Sequence, residues 1–395
     1  EQEGALSHRK NVRIIELELI QLFETLSVWN EYSPDGEGIV GDVTLEISIH
    51  SPSDREHGFA YYNLDDGPDP LPSSAEHFIG DGSHMQGFRV GQVARLFGRS
   101  AMDIRIARAL PRIWSIASLV VRRQTRRRLT PPGICRILRA LPNLQTVAVE
   151  FWREWTIFEQ ERADRGHAFI LDSALPDSLR SLTLFEDFNE DLNQLFESES
   201  RREEDDVDFT RIANPQVGRA LAERSVDLEE VAVSFVVDAV DFFRYCRPNR
   251  TWDKLRSLSL TSLMLHPLED RVNMNNMLRS ASVAVKRMPK LTILEIWNGA
   301  RGLACLFQYE VHDKSATMTF KSTPGIDLEG SVVEAWKKAA LEHSGRVLKV
   351  DYQVLEKKHI WTHAHAIRHL GLKVQVLDPA SEQRIIWERM PRHEV

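Results

Sequence analysis

The chain has 395 residues, 42% of them hydrophobic and 27% charged, with a formal net charge of −8. This is the make-up of a globular protein long enough for two domains or one elongated repeat body, and its acidic balance disfavours a general nucleic-acid binder. The three cysteines, Cys135, Cys246 and Cys305, are widely spaced with no CxxC pair, which disfavours a disulfide framework or zinc module and fits a reducing compartment.

The N-terminal stretch is polar and charged, without the apolar core of a signal peptide. Apolar runs such as Ile113–Val121 are about half the roughly 20 residues that a membrane span needs, so a cytoplasmic or nuclear location is expected. The helical period of Ile15–Trp29 puts Leu19, Leu22, Phe23 and Leu26 on one face. Strict alternation over Val43–Ser51 predicts a strand. Asp65–Gly91, rich in Gly, Pro, Asp and Ser, reads as loop, and Glu197–Phe209 as a solvated charge block.

An L-x-x-Φ-x-Φ unit then occurs five times, starting at Leu144, Leu179, Leu228, Leu255 and Leu291. The first leucine closes a turn, and the last two apolar residues share one face of a short strand. Helical patterns precede several copies, for example Gly133–Leu141 and Gly218–Val226. A helix or loop followed by a strand, repeated, is the logic of leucine-rich repeats, in which stacked units bury what one unit cannot. The intervals of 35, 49, 27 and 36 residues exceed the regular repeat of roughly 20–29, so the array is irregular. Ser118–Gln124 reads as an earlier strand of the series.

After Leu291 the pattern changes. Strands Leu291–Trp297, Leu303–Val311 and Ala316–Lys321, with a turn at Asn298–Gly302, predict an antiparallel meander. A helix capped by Ser331 and ended by Gly345 follows, then strand-like Arg346–Leu355, a short helix Trp361–Gly371 and strand-like Lys373–Asp378. The expected fold is α/β: an irregular leucine-rich-repeat-like array with a curved, largely parallel sheet and a C-terminal α+β antiparallel cap. Its expected parts are a leading region, 1–110, the array, 111–297, and the cap, 298–395.

Five arginines, Arg122, Arg123, Arg126, Arg127 and Arg128, fall within seven residues. They suit an acidic partner, a phosphate or a nucleic acid, or they mark an exposed strand end. Trp152, Arg153 and Trp155 follow a repeat strand directly, either roofing the core or anchoring an interface. Arg301, between two glycines, belongs to a turn and is a further binding candidate. His359, His363, His365 and His369 include an i, i+4 pair but no third ligand, so no metal is expected. Ser83 beside His84 has no nucleophile elbow around it, and the carboxylates of Leu184–Asn193 read as loop-shaping. Walker, Rossmann and kinase signatures do not occur, so no cofactor and no catalytic residue is assigned.

Taken in order, Leu45–Phe59, Leu119–Pro131, Glu150–Trp155, Leu182–Asp191 and Leu294–Glu310 resemble a family of filamentous-fungal F-box proteins with an irregular repeat body and a C-terminal domain of unknown function. The resemblance covers roughly residues 15–390. It implies the substrate-recognition body of a ubiquitin-ligase adaptor, acting on an unidentified protein target. No Leu-Pro-x-Glu-type F-box segment occurs in this sequence, so the Skp adaptor and a cullin are implied only if an F-box lies elsewhere in the gene product. The leading expectation is a non-enzymatic protein-interaction module. Two alternatives stay open: a nucleic-acid- or chromatin-associated protein using Arg122–Arg128, and an enzyme of unrecognised type.

Overall fold

A computed structural model describes residues 5–29, 42–49, 104, 108–123, 125, 129–154, 157–188, 211–323 and 328–387. The expected loop 65–91, the charge block 197–209, the Ser83–His84 pair, Arg126, Arg127, Arg128 and Trp155 lie outside these residues. The period-3.6 segment near the start forms α1 (Ala5–Ser27), with Leu19, Phe23 and Leu26 buried, while Leu22 stays 38% exposed at the edge of that stripe.

Among the described residues one ten-stranded sheet organises the fold, its strands ordered in space as they are in sequence. Strands β1 (Val43–Glu46), β2 (Ile116–Val121), β3 (Thr146–Trp152), β4 (Ser181–Asp187), β5 (Glu230–Asp238), β6 (Ser257–Thr261) and β7 (Ile293–Ala300) are parallel neighbours. β8 (Leu303–Val311) and β9 (Ala316–Ser322) add antiparallel pairs, and β10 (Leu348–Val354) joins β9 in parallel at the edge. The strands expected in a C-terminal cap therefore continue the same sheet.

The repeat reading accounts for the parallel part. The five unit leucines are at most 2% exposed. The residue after each one makes a backbone ladder from unit to unit: Gln145 donates to Ala117 O, Arg180 to Gln145 O, Glu229 to Arg180 O, Arg256 to Glu229 O and Thr292 to Arg256 O, at 2.7–2.9 Å. This ladder holds the turns in line where a regular array uses side-chain amides.

Local chemistry starts the intervening helices. Thr130 caps α2 (Pro131–Arg139), Asn214 caps α4 (Pro215–Arg224), Asp238 caps α5 (Ala239–Tyr245) and Asp270 caps α6 (Arg271–Val285). With α3 (Ile157–Ser173) and α7 (Gly330–Ser344) they cover one face of the sheet, where alternate strand residues such as Val147, Leu182, Val231, Leu258 and Leu294 form the main core. The start of α7 differs from expectation: Glu329, not Ser331, occupies the cap position, and the Ser331 hydroxyl donates to the Glu329 carboxylate. Gly345 ends the helix at φ +67°, as expected.

The hairpin between β7 and β8 is tighter than the sequence suggests. Asn298 and Gly299 are paired strand residues, opposite Cys305 and Ala304, and only Arg301 and Gly302 turn. Gly302 takes φ +70°. Gly299 has a different use: a Cβ there would stand 2.6 Å from Ala366 Cβ, so its absence lets α8 (His363–Leu370) lie against the strand.

The opposite face of the sheet is covered by α8, the segment 371–378 and α9 (Pro379–Trp387). Lys373–Asp378 was expected as a strand, and it is none. It runs across the sheet from Glu295 on β7 to Glu150 on β3, and carboxylates rather than a ladder accept its N–H groups. Lys373 and Val374 donate to Glu295 at 2.8 and 3.3 Å, and Asp378 donates to Glu150 at 2.9 Å. The strap is irregular, with bends at Lys373, Val374 and Leu377. Ser259 and Ala232, small and buried beneath it, leave it room.

Candidate functional site at the carboxyl ends of the strands

Ligands of open parallel sheets gather at the carboxyl ends of the strands, and here that edge concentrates buried charge. Successive strand residues point to opposite faces, so Glu186 and Asp187, neighbours in β4, serve two separate networks. Both are buried strand residues rather than the loop-shaping carboxylates expected.

On the strap side, Arg123 is 1% exposed and pairs through Nε with Asp187, which is fully buried. His363 Nε2 stands 2.9 Å from the other Asp187 oxygen, close as a charge contact but misaligned as a hydrogen bond. Burial alone would raise the Asp187 pKa, yet the Arg123 guanidinium and the His363 ring hold it below the usual carboxylate range. The Arg123 guanidinium also lies 4.5 Å over the Trp152 ring, whose indole N–H donates to Arg123 O at 2.7 Å. Glu150 accepts the Arg123 N–H at 2.8 Å and the Ser381 hydroxyl at 2.5 Å, besides the strap. Desolvation pushes its carboxyl up to about 7 against those donors.

On the helix side, Arg211 grips Asp164 with both terminal nitrogens, at 2.9 and 2.8 Å, and reaches Glu186 through Nε at 3.0 Å. Arg153 adds a 3.2 Å contact to Glu186 and lies 4.3 Å over the Phe188 ring. Burial would lower the Arg211 pKa, but Glu186 and Asp164 raise it, so the fork stays charged. Burial pushes His167 down to about 4, and its neutral ring packs 4.4 Å from Phe151.

Beside this network a cleft of about 550 Å³ opens between α2, α3 and the ends of β2 and β3. Phe151, Trp152, Gln160, His167 and Phe169 are among its walls. The outer face of α3 flanks it with Phe158, Arg162, Arg165 and Phe169 at successive spacings of four, three and four residues. Phe158 is 71% and Phe169 47% exposed.

The structure thus brings together Arg123 of the arginine run and Trp152 and Arg153 of the second candidate stretch, but it buries Arg123 and Trp152 and satisfies them internally. Arg122 bridges Glu46 and Asp378 at 3.2 Å each. Arg301 is exposed at the hairpin turn, away from the other four. Sequence reasoning missed Glu150, Glu295, Arg211 and the α3 face. A glutamate at an alternating strand position was the one available signal for Glu150 and Glu295. Of the histidines, His363 is enclosed, His365 accepts from or donates to the Thr362 hydroxyl at 2.9 Å, and His359 stacks on His369 with centroids 6.0 Å apart. Among the described residues no cluster of three metal-ligating side chains occurs. The thiols are buried, pushed up to about 11 for Cys135 and about 12 for Cys246 and Cys305. No helix among the described residues is long and apolar enough to cross a membrane.

Residues 174–378, about half of the chain, match a family described as a family of unknown function (DUF6546). The chain belongs to DUF6546. The match carries only this coarser statement, and no F-box or leucine-rich-repeat family is found beside it to support the finer expectation of a fungal F-box family. No curated protein and no solved structure matches the chain. Within this DUF6546 member the matched stretch runs from just before β4 through the strap, so it holds Asp187, Glu295 and His363. The α3 face and Glu150 precede it.

Proposed function

We propose that this DUF6546 member is a non-enzymatic protein-interaction module whose partner docks on the α3 face and the adjoining cleft. One observation carries the reading: Phe158, Arg162, Arg165 and Phe169 form a stripe of aromatic and arginine side chains beside an open cleft. Aromatic and arginine side chains in and beside a concavity supply most of the energy of typical interfaces, and arginine favours a partner that displays carboxylates between apolar groups. Two further features agree. The buried carboxylates at this edge are engaged by arginines or backbone donors. The thiols are too basic and enclosed to act as nucleophiles.

The same reading makes the chain a recognition body of the F-box-adaptor kind, with Skp and a cullin joining only through an F-box elsewhere in the gene product. Affinity purification of the full chain beside a Phe158→Asp, Phe169→Asp variant tests it. We expect a protein retained by the original chain and depleted at least about tenfold by the variant, the loss produced by about 1.4 kcal/mol or more of binding energy. Identical sets of proteins on both would overturn the reading.

A further inference from the structure

The two edges of the sheet are built differently. β1, at one end, has four residues, and its register with β2 shifts between Val43 and Thr44. Short length and irregular pairing are usual guards of an edge strand against pairing with another chain. β10, at the other end, has neither guard. It runs for seven residues in unbroken register with β9 and contains no proline. Among the described residues no strand lies beyond it.

The bonds to β9 fix which groups face outward. Val347 O accepts from the Ala316 N–H at 3.1 Å, and the Leu355 N–H donates to Ser322 O at 3.0 Å, so the odd-numbered residues between them turn their backbone groups to β9. The even-numbered residues, Leu348, Val350 and Val354 among them, aim theirs away from the sheet. Their side chains lie on the helix side, where Leu348 and Val350 join the main core. The cover then runs out along the strand: Tyr352 is 48% and Val354 77% exposed. On the opposite side Lys349, Asp351 and Gln353 are exposed. Gln353 donates to one Asp351 oxygen at 2.6 Å, and a carboxylate accepts further donors.

Two copies of this strand complement each other in one antiparallel register. With Val350 opposite Val350, Lys349 stands opposite Asp351 on both sides of the two-fold axis, and Leu348 stands opposite Tyr352. The outward backbone groups of Val350 then pair across the axis. A register centred on Asp351 would set two carboxylates against each other, so charge selects between them. We propose that the outer edge of β10 is a dimer interface, on which a second copy of this chain adds its own β10 antiparallel and joins the two sheets into one. β10 and the α3 cleft lie at opposite ends of the sheet, so the pairing leaves both clefts open and does not rest on the cleft reading.

Sedimentation of the full chain tests this. Its mass should rise from monomer to dimer between about 1 and about 100 µM, and hydrogen exchange over 346–354 should slow with it. Lys349→Asp and Asp351→Lys each place like charges opposite each other and should weaken the dimer at least about tenfold. An equimolar mixture of the two variants should form dimers again, because each changed charge then faces its opposite. That recovery also shows that both variants are folded. A chain that stays monomeric at about 100 µM would overturn the proposal. Dimers that survive either single change, or variants that stay apart on mixing, would overturn it too.

Discussion

In β3–β6 the helix-facing side of the sheet carries leucine or valine at alternate positions, whereas the strap-facing side carries serine, threonine, alanine and glutamate until the strand ends. The first is closed by helices that each bury an apolar stripe. The second is closed by an irregular segment held at both ends by carboxylates, with a small apolar cluster of its own around Phe185, Trp297, Ile367 and Leu377. The contrast shows two ways to cover a sheet. An apolar face fixes its cover by area, without direction. A polar face fixes its cover by a few directed hydrogen bonds, which specify where the chain passes and fail together when an anchor is removed.

The largest effect is expected where the two faces meet. Arg123→Met leaves Asp187 buried beside His363 alone and should cost about 3–5 kcal/mol in denaturant unfolding, and Arg123→Met with Asp187→Asn should recover part of that loss. A double variant as unstable as the single one would mean that Arg123 acts by packing on Trp152 and not by pairing. Next comes a contrast between chain neighbours, both fully buried in β6. Leu258→Ala on the helix side should cost about 2–5 kcal/mol. Ser259→Ala on the strap side removes a hydroxyl without a partner and should be neutral or slightly stabilising. Equal losses would erase the proposed difference between the faces.

A smaller effect is expected at the strap. Glu295→Ala strands the Lys373 and Val374 N–H groups and should cost about 1–3 kcal/mol. Hydrogen exchange should rise over 372–387 and stay unchanged in β3–β6, and a global rise would show that strap and sheet unfold as one unit. The smallest effect is on pH dependence. Glu150 has a folded pKa raised by burial from 4.5 to about 7. Its protonated form is therefore favoured in the folded state, and its contribution falls as pH rises from about 4.5 to about 7 and is flat above. Glu150→Gln should remove that slope, so the stability difference between variant and original chain should grow over this window. A difference constant with pH would show that the donors around Glu150 offset its desolvation, and a reversed slope that they outweigh it.

Much of the sheet was legible because its rule is local. Leu144, Leu179, Leu228, Leu255 and Leu291 each precede two apolar residues at period two, and that pattern admits one face and one direction of stacking. The candidate site was legible only in part. "EFWREW" and the arginine run do mark the strand ends, yet nothing near Arg123 in sequence says that Asp187, 64 positions on, will take its guanidinium. The alternation of Lys373–Asp378 suits a strand equally well, because a period of two in the sequence does not say what accepts the N–H groups.

The sequence by itself determined the repeat units and the helix stops at Gly345 and Gly371, all of which follow from steric and hydrogen-bonding preferences within a few residues. Tertiary structure alone decided that β8–β10 extend the same sheet and that the C-terminal segment returns across it. It alone also decided that Glu150, Glu295, Asp187 and His363 lose their water. Those outcomes depend on which distant surfaces meet, and the energy of a carboxylate or an imidazole is set by what surrounds it once they do.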